Sequence, residues 1–86
     1  MKHASHPAII TRLKRAHGHL AAVLSMFEDG RPCVDLAQQL HAVESAISNA
    51  KRELIHDHIE HCLDDNADAP SPRTALKELK VLAKYL

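Results

Sequence analysis

The chain has 86 residues, 11 Lys and Arg against 11 Asp and Glu, two glycines and only two aromatic residues, Phe27 and Tyr85. This length accommodates one domain, residues 1–86, whose apolar content of Ala, Leu, Ile and Val excludes a thick private core and gives strands little to work with; the expected class is all-α, with apolar surface left for self-association. No apolar run approaches the ~20 residues of a membrane span and Met1-Lys2-His3-Ala4-Ser5-His6-Pro7 lacks the apolar stretch of an export signal, so Cys33 and Cys62 are expected as reduced thiols in the cytoplasm.

Residues 1–6 are expected as a flexible N-terminus. Ser5 or His6 before Pro7 reads as a helix start, since proline is tolerated in a first turn. A helix over about 7–29 follows, with Ile10, Leu13, Leu20, Leu24 and Phe27 recurring in steps of three, four and seven, and His17 in the vacant place. Asp29-Gly30 closes it, Gly30 being suited to a left-handed cap. Arg31-Pro32-Cys33 opens a second helix, and no Gly or Pro intervenes before Pro70. Leu36, Leu40, Val43, Ile47, Ala50 and Leu54 step by four and three along it, a coiled-coil-like seam. A helix over about 32–63 is long for so small a domain, which again argues for packing between subunits. Residues 64–70 form a polar loop, and Ser71-Pro72 caps a third helix over about 72–85 carrying Leu76, Leu79, Leu82 and Ala83. No tight turn leads into a recognition helix, so a helix-turn-helix is not expected.

The balanced charge is unevenly spread. Residues 1–31 carry Lys2, Arg12, Lys14, Arg15 and Arg31 against Glu28 and Asp29, whereas residues 57–68 carry Asp57, Glu60, Asp64, Asp65 and Asp68 with no Lys or Arg. A basic helix of this kind can meet phosphate even in a neutral chain.

The densest chemical signal is His56-Asp57-His58-Ile59-Glu60-His61-Cys62. His58 and Cys62 are four residues apart, so on a helix imidazole and thiolate leave one face. The pair is half of a soft metal site, because a thiolate selects Cu(I), Zn(II) or Ni(II) over Mg(II). Cys33 supplies the other sulfur, yet at about 1.5 Å per residue it lies roughly 37 Å from His58 along the same helix. An antiparallel partner helix removes the conflict: Cys33 of one protomer then meets His58 and Cys62 of the partner subunit, with the dyad near Ala46 and Ile47 in the middle of the seam and two equivalent sites at its ends.

Arg12-Leu13-Lys14, Gly18-His19-Leu20, Pro32-Cys33-Val34-Asp35, Gln38-Gln39-Leu40-His41-Ala42-Val43 and His56-Asp57-His58-Ile59-Glu60-His61-Cys62 together resemble the CsoR/RcnR/FrmR/InrS repressors, over about residues 9–86. The resemblance implies a three-helix protomer, an antiparallel dimer and a flat tetramer of two dimers. It implies that the apo-protein binds operator DNA and that the effector releases it, switching on an efflux or detoxification operon. The family's metal ligands map to Cys33, His58 and Cys62, the set of its copper sensors. His58 argues against the persulfide-sensing branch, and Lys2 against the formaldehyde-sensing one. A third-helix glutamate that orients the histidine maps to Glu78. The tyrosine that copper sensors place before the first cysteine is Pro32 here. A DNA-contacting arginine maps to Arg12, beside Lys14 and Arg15; a second maps to Asn49, beside Lys51 and Arg52.

Cu(I) is thus the expected effector, trigonal S₂N coordination suiting a soft d¹⁰ cation. Ni(II), Co(II) or Zn(II) are alternatives, with nickel or cobalt recruiting a fourth ligand from His3, His6 or the terminal amine. His17, His19 and His41 read as packing or polar-surface residues. A reading of another class, a metal chaperone or storage bundle that does not bind DNA, needs no basic helix. An enzyme is disfavoured, since no oxyanion donors accompany Cys62.

Overall fold

The computed structural model describes residues 6–62 and 71–86. Three α-helices make up the architecture: α1 (His6–Glu28), α2 (Cys33–Cys62) and α3 (Pro72–Leu82), followed by a 3₁₀ turn at Ala83–Tyr85. His3, the terminal amine, Leu63 and the loop before Ser71 lie outside the described residues.

Pro7 falls in the first turn of α1, where its missing N–H is no loss. At the other end Gly30 adopts φ +69°. Its N–H donates to the Phe27 carbonyl at 3.1 Å and that of Arg31 to Met26 at 3.1 Å. These are the paired bonds of a Schellman cap, whose left-handed residue is normally glycine. The chain then reverses at once. The second helix begins one residue later than expected: Pro32 lends its carbonyl to the Leu36 N–H at 3.1 Å and so caps α2, leaving Cys33 as the first helical residue. Ser71 caps α3 by accepting from the Thr74 N–H at 3.3 Å. The helix stops at Leu82, short of the expected 85, and its last residues tighten into the 3₁₀ turn.

Cross-helix contacts show that α1 and α2 form an antiparallel hairpin. His19 lies opposite Gln39, Arg12 opposite Glu53 and His6 opposite Asp57, one number falling as the other rises. Ile9, Ala16 and Val23 are buried on α1; Leu36, Val43 and Ala50 are buried on α2. Each set repeats every seven residues, the period of two helices held side by side; Ile55, outside this repeat, is buried as well. Among the described residues α3 packs on α2 alone, with Ala75 buried.

This core corrects the expected stripe on α1. Ile10, Leu13, Leu20, Leu24 and Phe27 do not face α2; each is between 38% and 59% exposed. The seam expected on α2 is divided in the same way. Leu36, Val43 and Ala50 face inward, while Leu40, Ile47 and Leu54 stay exposed at more than 40%. The physical reason is that each helix carries two adjoining apolar faces, and only one of them can meet the other helix of the hairpin. The second face is left outside. The molecule is correspondingly thin, 54 × 24 × 13 Å. Its radius of gyration is 17.3 Å, against about 12 Å for a compact domain of this length. Its accessible surface is 6631 Å², against roughly 5,000 Å² for a compact monomer of this mass. No helix among the described residues is long and apolar enough to cross a membrane.

Candidate metal centre

Helix α2 has 30 residues and begins and ends on cysteine, Cys33 and Cys62. At about 1.5 Å of rise per residue the helix is some 45 Å long. The two thiol-bearing positions are therefore at opposite ends of a straight rod. Cys33 is exposed. Among the described residues, no three His, Cys, Asp or Glu side chains of one protomer converge closely enough to hold a metal ion.

The His58 end is built by α2 and α3. His58 Nε2 lies 2.6 Å from Glu78 Oε2, with the imidazole about one quarter exposed. A carboxylate only accepts, so the Nε2–H donates to Glu78, and the tautomer this selects is the one with its lone pair on Nδ1. The contact spans two helices and fixes both ring orientation and tautomer. The donor set fits a soft cation: an imidazole nitrogen of fixed direction, with Cys62 one helical turn further along the backbone. Leu54, Val81 and Leu82 line an apolar groove beside His58 and Glu78.

Sequence reasoning missed a cross-helix approach at the start of α1. His6 Nε2 lies 3.8 Å from Asp57 Oδ2. The N-terminus of α1 is thereby brought to the His58 end of α2. Successive helical residues project about 100° apart, so His6 adjoins the helix one side away from His58. An antiparallel count about Gly30 could have found this pairing, because it sets the first turns of α1 against the last turns of α2.

The basic residues named from the sequence spread along the hairpin. Arg12 Nη1 is 3.0 Å from Glu53 Oε1. Arg12, Arg15, His19 and Asn49 share one shallow groove between α1 and α2. Lys51 and Arg52 belong to a neighbouring α2 surface, where Arg52 Nη1 donates to Asn49 Oδ1 at 3.4 Å. Lys14 is exposed on α1. His19 donates across the hairpin to Gln39 at 2.6 Å and so acts in packing, while His17 and His41 are exposed.

Comparison with known proteins gives this geometry its context. A family model described as metal-sensitive transcriptional repressor matches residues 5–85. The copper-sensing transcriptional repressor CsoR of Mycobacterium ulcerans (strain Agy99) is 36% identical over 78 residues, covering 91% of this chain and 67% of that protein. The protein of the same name from Bacillus subtilis (strain 168) is 37% identical over 71 residues, covering 83% of this chain and 70% of its own length. The chain thus spans about two thirds of the length of these curated relatives. Among solved structures, the nickel-responsive transcriptional regulator InrS superposes with a TM-score of 0.81 at 29% identity, over 100% of this chain and 98% of that one. These relatives are regulators of transcription, which sets aside both the enzyme and the storage bundle. The chain belongs to the family of metal-sensitive transcriptional repressors.

Proposed function

We propose that the chain is a Cu(I)-responsive repressor whose apo form binds operator DNA. In this reading it works as an antiparallel dimer about the α2 seam, two dimers forming a flat tetramer. Cys33 of one protomer joins His58 and Cys62 of the partner subunit. The observation that carries this reading is the placement of the two cysteines at opposite ends of one uninterrupted helix. Donors so far apart complete a coordination sphere only across a subunit boundary. The exposed Leu40, Ile47 and Leu54 supply the apolar face such a boundary needs. When bound, the cation would supply a bridge between the ends of two α2 helices. Glu78 holds the His58 ring so that Nδ1 is the ligating nitrogen, and in doing so ties α3 to the site. Arg12, Lys14 and Arg15 on α1, with Lys51 and Arg52 on α2, provide the positive surface for DNA phosphate. Release of DNA derepresses genes for metal efflux or detoxification.

X-ray absorption and metal titration test the effector. Cu(I) should bind one per protomer with two sulfurs and one nitrogen around it. Removing residues 1–6 should leave Cu(I) affinity almost unchanged. A Ni(II) or Co(II) sensor is the second reading, and the placement of His6 against Asp57 favours it. Here His3, His6 or the terminal amine completes a four-coordinate site. A yellow, square-planar Ni(II) spectrum that disappears on the same truncation, together with weak Cu(I) competition, would make nickel the effector instead.

Glu78→Ala tests the link from site to DNA. Loss of a carboxylate that orients a ligating imidazole costs about 10- to 100-fold in metal affinity or function. We expect metal still to bind through three ligands but to release DNA incompletely, as read by anisotropy of labelled operator. Release equal to wild type would make Glu78 a surface residue that merely touches His58.

A further inference from the structure

Arg12 lies between two competing environments. On one side is the groove shared with Arg15, His19 and Asn49, in which Arg15 adds a second guanidinium. On the other is Glu53, whose Oε1 is 3.0 Å from Arg12 Nη1. The guanidinium is half exposed and the carboxylate 38% exposed, so neither is locked in place by burial. A carboxylate and a phosphate are equivalent acceptors for the guanidinium fork. A given N–H edge serves one of them at a time. A phosphate arriving at Arg12 must therefore displace Glu53 and then remain near its negative charge.

We propose that Glu53 is a built-in competitor for DNA phosphate at Arg12, holding operator affinity below what the basic face alone would give. The inference rests on the reading that Arg12 contacts phosphate. Its consequence for a repressor is direct. An effector releases DNA only through its differential affinity for the free and DNA-bound states. A carboxylate that reclaims Arg12 in the DNA-free protein lowers the difference the effector must supply. Glu53 contributes this without touching either ligand.

The test is operator affinity of the apo-protein, by anisotropy of a labelled duplex from its own upstream region, for wild type, Glu53→Gln, Arg12→Ala and the double variant. Exposed ion pairs are weak, so Glu53→Gln should fold normally and tighten DNA binding about two- to five-fold for each Arg12 engaged. Arg12→Ala should weaken binding, and in that background Glu53→Gln should have no effect. A gain that persists without Arg12 would overturn the proposal, since it would reflect general charge. Unchanged or weaker binding by Glu53→Gln alone would overturn it too, the weaker case making Glu53 an anchor that aims Arg12 at DNA. If Arg12→Ala binds DNA like wild type, the phosphate contact itself is wrong, and the competitor falls with it. Glu53→Ala should repeat the result of Glu53→Gln.

Discussion

Mixing Cys33→Ala protein with His58→Ala protein, each unable to bind Cu(I) tightly alone, is expected to restore tight binding after subunit exchange. Each variant homodimer would lack one ligand at both of its sites. In a heterodimer, the His58→Ala chain contributes Cys33 and the Cys33→Ala chain contributes His58 and Cys62, so one site is whole. The other lacks both residues. Random exchange should return about one quarter of wild-type capacity. Competition against a Cu(I) chelator measures it. No recovery, with subunit exchange verified by mass, would mean that the three residues do not meet across a dimer.

Ile47→Glu carries the second large effect. Ile47 is 47% exposed in the protomer, between Leu40 and Leu54 on the outer stripe of α2. For a protomer that stays alone, this is a surface change worth within about 0.5 kcal/mol. In the proposed dimer the two copies of Ile47 lie beside the dyad. Two carboxylates would then be buried without partners in an apolar seam, at a cost of several kcal/mol. Sedimentation should show monomers, and metal binding should fall with them because the proposed metal site spans subunits. The wild-type melting temperature should rise with protein concentration, as expected where folding is coupled to association. A variant with wild-type mass and melting temperature would place the interface elsewhere.

Much of the protomer is written locally. Pro7, Gly30, Pro32 and Ser71 punctuate the helices at or beside the positions where their backbone chemistry requires a start or stop. What local pattern does not specify is the neighbour each face meets. Ile10 and Ile9 are equally apolar and adjacent, yet one is half exposed and the other buried. The choice depends on which face of each helix the other meets, and that is a property of the pair. The candidate site divides along the same line. Spacing on α2 placed the thiols at its ends, and the family resemblance supplied the role considered for Glu78. The pairs Arg12–Glu53 and His6–Asp57 join residues far apart in the chain, and they depend on the register imposed by the turn at Gly30.

That turn also determines leverage. The hairpin is closed at Gly30 and open at the opposite end, where His6 meets Asp57 beside the His58 position. It has the outline of a pair of tweezers, α1 being one arm and the Schellman turn the bend between the arms. Arg12 lies some 24 Å along that arm from Glu28, at about 1.5 Å per residue. An opening of about 5° would carry it roughly 2 Å, more than enough to break or make a hydrogen bond. Residues near the pivot, such as Ser25 and Met26, would scarcely move. Arg12 would thus follow roughly three quarters of any displacement at the His6 tip, while the pivot stays still.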